Sequence, residues 1–217
     1  MTAFYRMVDR SPPLPDDLIE RLSLVDTATI GHVEHLGFVG DNIRPVFPAR
    51  VAGAALTVAA PGRDGVIVYR AIDLLLPGDI LVISRVDRDD IACVGGGVAA
   101  AAKAKGVAGI VIDGPCTDVE EIIAAGVPVW CRGVSAKTTN RQFQIGGSLN
   151  VPIACGAAAV LPGFAVLADN EGVFVADRDR MGILAKSALE RQKRSVAVRS
   201  HLASGRSIFE FRQEPTS

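Results

Sequence analysis

The pattern of apolar and polar positions along the chain predicts a mixed α/β protein. Apolar residues that recur every three or four positions indicate helices, and short continuous apolar runs between turn signals indicate buried strands. By this criterion, helices are expected at residues 16–24, from about 26 toward 35, and at 64–76, 98–106, 117–126 and 178–203. Strands are expected at residues 50–60, 79–84, 107–113 and 127–132, followed by several short strands within 150–177.

The order of these elements predicts how the chain is organised. The strand–helix–strand–helix–strand order over residues 79–132 indicates a parallel sheet with right-handed crossovers. Residues 1–17 are expected to form an N-terminal arm, because their prolines cannot propagate a helix. An α/β domain would then span 18–177, and a basic helix with a tail would span 178–217. The polar segment 133–148 is expected to be a loop, long enough to suggest a functional or interface role.

Composition narrows the class of protein further. The 217 residues are 49% hydrophobic and only 5% aromatic, which predicts one globular unit with a core of aliphatic side chains. The net charge of −1 does not favour a nucleic-acid-binding surface. There is no uncharged apolar run of about 18 residues and no apolar signal segment, so neither a membrane span nor secretion is expected. Four cysteines without a C-x-x-C motif indicate reduced, mostly buried thiols in a cytoplasmic protein.

Three consecutive glycines provide the first candidate for a ligand site. Gly95, Gly96 and Gly97 precede an Ala-rich helix, and the unpaired amides at a helix start can bind a carboxylate or a phosphate. A plain tight turn is the alternative interpretation. The spacing also imitates a dinucleotide fingerprint ending in Asp113, but the preceding strand is short and the motif lies in the middle of the chain, which disfavours NAD binding.

Acidic residues provide two further candidates. In the segment DGPCTD (113–118), Asp113 and Asp118 follow a buried strand, where α/β sheets bind ligands and a carboxylate can hold Mg²⁺. Alternatively, Thr117 or Asp118 simply caps the next helix. The segment 169–172 (DNEG) is more typical of a β-turn between two strands than of a site.

The remaining polar features carry weaker signals. His32 and His35 have i,i+3 spacing without further ligands nearby, which does not favour a zinc site. Residues 178–212 contain nine basic and three acidic residues, a composition that could bind RNA or an acidic partner but is more typical of a solvated helix face.

Taken together, several segments resemble the 4-hydroxy-4-methyl-2-oxoglutarate aldolase family, which includes the regulator of ribonuclease E activity A. The resemblance covers about residues 25–177. It rests on IRPVFPARVAGAALTV (43–58), LPGDILVIS (76–84), GGGVAAAAKAKGVAGIVIDGPCTD (95–118), VPVWCRGVSAK (127–137) and VPIACGAAAVLPGFAVLADNEGVFV (151–175).

This resemblance implies both a fold and an assembly. The fold would be a layered β/β/α sandwich similar to swivelling domains, with a central parallel α/β unit and a long C-terminal helix. The chains would assemble as homotrimers or homohexamers with active sites between subunits. The amides of Gly95, Gly96, Gly97 and Val98 would hold the substrate carboxylate, and Asp118 would bind Mg²⁺ or Mn²⁺.

The sequence departs from the family pattern at three positions. Thr117 stands where the family has an arginine that stabilises an enolate. Gly96 and Phe164 each stand where the family has an aspartate. A cation could come instead from Arg132, Lys137 or Arg141. The loss of the arginine matters because negative charge develops on the enolate oxygen during cleavage, and a nearby guanidinium stabilises that charge.

The leading hypothesis is a divalent-metal-dependent lyase that acts on small 2-oxo acids through an enolate, by class II-type aldol cleavage or by decarboxylation. Asp118 and Thr117 are the expected catalytic residues, and Asp118 is also the metal ligand. The alternative is a non-catalytic oligomeric regulator that binds a protein partner such as a ribonuclease. Another metal-dependent enzyme on the same scaffold is a third possibility.

Overall fold

A computed structural model describes residues 4–87 and 89–211 of the chain. The helices are α1 Asp16–Ser23, α2 Thr27–Ile30, α3 Val66–Leu74, α4 Gly96–Ala104, α5 Val119–Ala125 and α6 Arg178–Ala203, followed by a 3-10 helix Ile208–Glu210. The strands are β1 Phe4–Met7, β2 Arg44–Pro45, β3 Val51–Ala60, β4 Ile80–Arg85, β5 Gly109–Asp113, β6 Val129–Cys131, β7 Gly146–Leu149, β8 Ile153–Cys155, β9 Ala158–Val160, β10 Ala165–Ala168 and β11 Val173–Ala176.

The predicted parallel unit is confirmed, and it forms the centre of the main sheet. Strands β3, β4, β5 and β6 pair side by side in parallel, and the sheet order is β1-β7-β3-β4-β5-β6-β2. The long strand β3 contributes to two regions, because its first half pairs antiparallel with β10 and its second half pairs with β4. Strands β8 and β9 form a separate antiparallel pair.

Three apolar clusters separate the layers of the fold. Alternate residues of a strand point to opposite faces, so β4 supplies Ile83 to the cluster under α3, α4 and α5, and Val82 to the cluster that faces β8–β11. On the outer side of β10 and β11, Leu167 and Phe174 pack against helices α1 and α6. The layered α/β fold with its long C-terminal helix is therefore confirmed.

Three segments differ from the sequence-based expectation. The predicted arm contains β1, and the predicted loop 133–148 ends in β7, which pairs with β1 in parallel. The sequence has no alternating apolar signal here, since β7 reads Gly-Gly-Ser-Leu. Gly146 has a φ of 98°, and a side chain at this position would collide with the carbonyl of Phe4, so the pairing requires glycine. The second helix is also shorter than predicted, because turns begin at Gly31.

The segment 169–172 is the β-turn that its composition indicated. The amide of Asp169 donates to the carbonyl of Gly172 over 2.9 Å. The buried carboxylate of Asp169 accepts hydrogen bonds from the amide and the hydroxyl of Thr27 at 2.8 Å and 2.6 Å. The backbone carbonyl of Asp169 accepts a hydrogen bond from the indole of Trp130. Asp169 therefore joins three parts of the fold.

The helices and the two ends of the chain complete the comparison with the sequence-based expectations. Within residues 4–87 and 89–211, no helix is both long and apolar enough to cross a membrane. The expected tail falls partly outside the described residues, as do the first three residues of the expected arm.

Candidate functional site

A cavity of about 380 Å³ lies where the parallel strands β4, β5 and β6 reach their carboxyl ends. This is the edge at which open α/β sheets bind ligands. The segment after β4 contributes Gly95, Gly97 and Val98, and the segment after β5 contributes Thr117 and Asp118. The structure therefore brings together most of the residues that the sequence singled out as a site.

The start of helix α4 supplies amide donors to this cavity. Gly97 and Val98 lie in the first turn, where the amides have no carbonyl partner within the helix and the helix dipole is positive. Gly95 precedes them in an extended conformation and also borders the cavity. Gly96 does not line the cavity, because it faces the side chain of Glu121.

Asp118 joins the starts of two helices. It occupies the position before α5 in a left-handed conformation, with a φ of 52°, and its side chain makes no capping hydrogen bond to α5. Asp118 therefore occupies the expected cap position of α5, but its side chain does not cap that helix. Instead, one carboxylate oxygen of Asp118 accepts from the amide of Gly96 over 3.1 Å, so Asp118 caps α4. The hydroxyl of Thr117 lies 3.4 Å from the other carboxylate oxygen.

The close approach of the two segments explains the glycines. A side chain at position 95 would collide with the Asp118 carboxylate and would come within 2.7 Å of the Thr117 methyl group. A side chain at position 96 would collide with Glu121, including the Glu121 Cβ at 2.7 Å. The aspartate that the family resemblance expects at position 96 could not fit beside Glu121, whose carboxylate occupies that space.

Asp113, the other acid of DGPCTD, does not border the cavity. It is buried, and it pairs with the guanidinium of Arg132 while its second oxygen accepts from the amide of Gly156 over 2.7 Å. Asp113 therefore fixes the segment after β6 to the hairpin β8–β9.

A pair of thiols lies directly behind the site. Cys116 and Cys131 are buried, and their Sγ atoms are 3.5 Å apart. Because the thiol of one stabilises the thiolate of the other, the pKa of Cys131 falls to about 7, while that of Cys116 rises. Burial raises the pKa of Cys93, which lines the cavity, to about 11. The sequence did not predict the thiol pair, because only the alignment of β5 with β6 brings the two residues together.

From the far wall of the cavity, sequence reasoning had identified only Arg141. This wall consists of Tyr69 from α3 and the segment 138–141 that follows β6. Apart from Arg141, which the sequence offered as one of three possible cations, the signal was the length of the polar segment 133–148.

The number of acidic side chains on the cavity wall decides which divalent metal ion the cavity could bind. In the described part of the chain, no three His, Cys, Asp or Glu side chains converge as a metal cage. Asp118 is the one acidic residue on the cavity wall among the described residues. A single carboxylate suits Mg²⁺, which keeps several of its waters and takes one or two protein carboxylates plus substrate oxygens. The residues present therefore fit a water-rich Mg²⁺ site.

The chain is a layered α/β protein with a cavity at the carboxyl ends of its parallel strands. Residues 23–175 match the profile described as Aldolase/RraA, and the chain belongs to this RraA-like family.

Individual relatives show the same relationship. The chain is 29% identical over 178 residues to a Halalkalibacterium halodurans protein named "Putative 4-hydroxy-4-methyl-2-oxoglutarate aldolase", with 81% of this chain and 84% of the relative covered. Streptomyces coelicolor RraAS2, described as an unusual member of the RNase ES inhibitor RraA protein family, is 25% identical, with a TM-score of 0.76 over 88% of this chain and 98% of that one. An uncharacterized protein from Pseudomonas syringae has the same fold, with a TM-score of 0.79 at 22% identity over 94% of this chain and 95% of that one.

Proposed function

We propose that this protein is a divalent-metal-dependent lyase that cleaves small 2-oxo acids through an enolate. One observation carries the proposal: the first-turn amides of α4 and the carboxylate of Asp118 border the same cavity. The aldolase name of the Halalkalibacterium halodurans relative supports the reaction class.

The helix start would bind the carboxylate of the substrate. Gly97 and Val98 border the cavity, and their amides lie in the first turn of α4, at the positive end of the helix dipole. The amide of Gly96 already donates to Asp118, so in this proposal Gly96 anchors the acid, while Gly95 leaves room for the side chains of Asp118 and Thr117.

Asp118 would hold the metal ion. Its exposed carboxylate is oriented by the Gly96 amide, which leaves the other oxygen directed toward solvent and Thr117. A bound Mg²⁺ would supply Lewis-acid polarisation of the 2-oxo group. Thr117 would donate a hydrogen bond at this edge of the cavity, without the charge that an arginine would bring.

Aldol cleavage and decarboxylation would both break a carbon–carbon bond and leave an enolate. In aldol cleavage of a 4-hydroxy-2-oxo acid, the C3–C4 bond breaks and the hydroxyl proton passes to water, which leaves a carbonyl product. The electron pair of the broken bond becomes the enolate, and a proton from water then gives a pyruvate-type product. In decarboxylation, the bond to a C3 carboxylate breaks in the same way and carbon dioxide leaves.

Exchange of the pyruvate methyl protons for deuterium tests the proposal without knowledge of the natural substrate. This exchange requires the same enolate, and it can be followed by proton NMR in D₂O with Mg²⁺ or Mn²⁺. We expect exchange with wild-type protein and a loss on the order of 10² or more in Asp118→Asn. If wild-type protein neither exchanges nor binds pyruvate with either metal, the proposal is wrong.

A second candidate function is the binding of a protein partner. The observation that favours it is the match to RraAS2 over 98% of that chain, because RraAS2 is described as a member of a family of ribonuclease inhibitors. The missing arginine at position 117 agrees with a non-catalytic role. Slower RNA cleavage by a purified ribonuclease E when this protein is added, together with an absence of pyruvate exchange, would favour this candidate.

A further inference from the structure

We infer that Arg141 is the catalytic cation of this cavity and takes the part that an arginine at position 117 would play. The inference rests on the proposed function, because the charge it stabilises is that of the enolate. Among the described residues that line the cavity, Arg141 carries the one positive side chain and Asp118 the one negative side chain.

Ion pairs distinguish Arg141 from the other two candidate cations. The guanidinium of Arg132 is bound to the buried carboxylate of Asp113. The ammonium of Lys137 lies 2.6 Å from the carboxylate of Asp90. Arg141 has no ion-pair partner among the described carboxylates, and its guanidinium lies over the ring of Tyr69, 5.4 Å from the ring centre.

The backbone before Arg141 is fixed on both sides, so the position of this residue is defined by the fold. On one side, the amide of Ala92 donates to the carbonyl of Lys137, and the amide of Thr139 donates to the carbonyl of Ala92, over 2.8 Å and 3.0 Å. On the other side, the amide of Gly65 donates to Asn140 and the amide of Asn140 donates to Arg63, over 2.8 Å and 2.7 Å. These bonds place Arg141 at the cavity wall.

Tyr69 connects Arg141 to the start of helix α4. The Tyr69 hydroxyl lies 3.6 Å from the position that a Cβ atom on Gly97 would take. The tyrosine ring therefore extends from the amide donors of α4 to the guanidinium of Arg141. A 2-oxo acid whose carboxylate binds these amides would occupy the same cavity that Arg141 borders, where a guanidinium can act on its 2-oxo group.

The chemistry suits a guanidinium at this point. Arginine keeps its charge at any pH in the physiological range, so it can balance an enolate without exchanging a proton. The charge acts more strongly on the enolate than on the neutral 2-oxo group, and this difference is what increases the rate. A cation from another segment also explains how the cavity can function with threonine at position 117.

The test compares Arg141→Gln with Arg141→Lys and with the control Lys137→Gln, which removes the same charge from the same segment outside the cavity wall. The rate of pyruvate exchange and the affinity for oxalate, a planar dianion that resembles the enolate, are measured with Mg²⁺ present. Arg141→Gln should lower the maximal exchange rate by about 10²-fold and weaken oxalate binding by about tenfold, with less effect on pyruvate binding. Arg141→Lys should recover part of the loss, and Lys137→Gln should stay within about twofold of wild type.

A double variant gives an independent readout. If the role of Arg141 is to supply a cation, Thr117→Arg combined with Arg141→Gln should recover at least about tenfold of the exchange rate, or about 1.4 kcal/mol of barrier. Equal exchange rates in wild type, Arg141→Gln and Lys137→Gln would overturn the inference while the proposed function stands. A wild-type protein that neither exchanges pyruvate nor binds oxalate would overturn the proposed function and this inference with it.

Discussion

Asp118 combines an observed structural task with a proposed chemical one. Its side chain caps α4 through the Gly96 amide and is also the acid that the cavity offers to a metal ion. The left-handed backbone at Asp118 turns the carboxylate away from its own helix and toward the neighbouring one. The residue could be selected from the sequence, but the direction of its side chain could not, because that depends on how α4 and α5 pack together.

Two substitutions at Asp118 should separate these tasks. Asparagine keeps an oxygen that can accept from the Gly96 amide but loses the charge, whereas alanine loses both. We expect Mg²⁺ binding to be abolished in both variants and the free energy of unfolding to fall by about 1 kcal/mol in Asp118→Ala only. Isothermal titration calorimetry and urea unfolding measure the two effects. Unchanged Mg²⁺ affinity in Asp118→Asn would show that the residue is only a cap.

Position 96 shows why a residue expected from a family pattern can be absent from one chain. The resemblance expects an aspartate there, and the sequence alone presents the glycine as a loss. The structure shows the carboxylate of Glu121 in the space that a side chain at position 96 would need. Residues 96 and 121 belong to different helices, so this steric conflict was not visible in either local sequence motif.

At the scale of elements, local patterns predicted the parallel unit well and the edge of the sheet poorly. Strands β4, β5 and β6 are buried on both faces, so they appear in the sequence as continuous apolar runs. Strands β1 and β7 pair with each other although they lie far apart in the sequence, and the glycines of β7 carry no apolar pattern. The same holds for the cavity. The start of α4 could be predicted from a local motif, whereas the position of the segment 138–141 depends on contacts with residues distant in the sequence.

The turn after α2 is connected to α6 by an ion pair that should respond to acid. The guanidinium of Arg180 donates to Glu34 over 2.7 Å, and the amides of Leu36 and His35 add further hydrogen bonds. These contacts lower the pKa of Glu34 from 4.5 to about 2, with Arg180 as the largest cause. Since the folded protein favours the carboxylate, the contact stabilises the fold above about pH 4.5, and this contribution is lost as the pH falls toward 2.

NMR titration of the Glu34 side-chain carboxyl carbon can measure this contact directly. We expect a midpoint near pH 2 in wild-type protein and a clear rise toward the usual value in Arg180→Gln. The backbone donors remain in that variant, so the rise should be incomplete. Arg191→Gln, on the same helix, serves as the control and should leave the midpoint unchanged. A wild-type midpoint near 4.5 would contradict the prediction.

At the scale of the whole molecule, exposed apolar side chains gather at the β1 edge of the main sheet. Phe4 is 74% exposed and pairs with Gly146, directly after the exposed Ile145. Phe143 is 60% exposed two residues earlier, in the segment that also supplies Arg141 to the cavity. Apolar side chains on an unpaired strand edge favour association with another chain.

We therefore expect a homo-oligomer, a trimer or a hexamer as the family resemblance implies, in which this edge is covered. Light scattering coupled to size-exclusion chromatography should give three or six times the chain mass of 22.7 kDa. Phe143→Ser should shift the protein toward the monomer, because it places a polar group within the apolar contact. The matched control is Leu36→Ser, which changes an 83% exposed residue beside the turn after α2 and should leave the assembly intact. A monomer at micromolar concentration would contradict the assembly, whereas equal dissociation of both variants would contradict its assignment to the β1 edge.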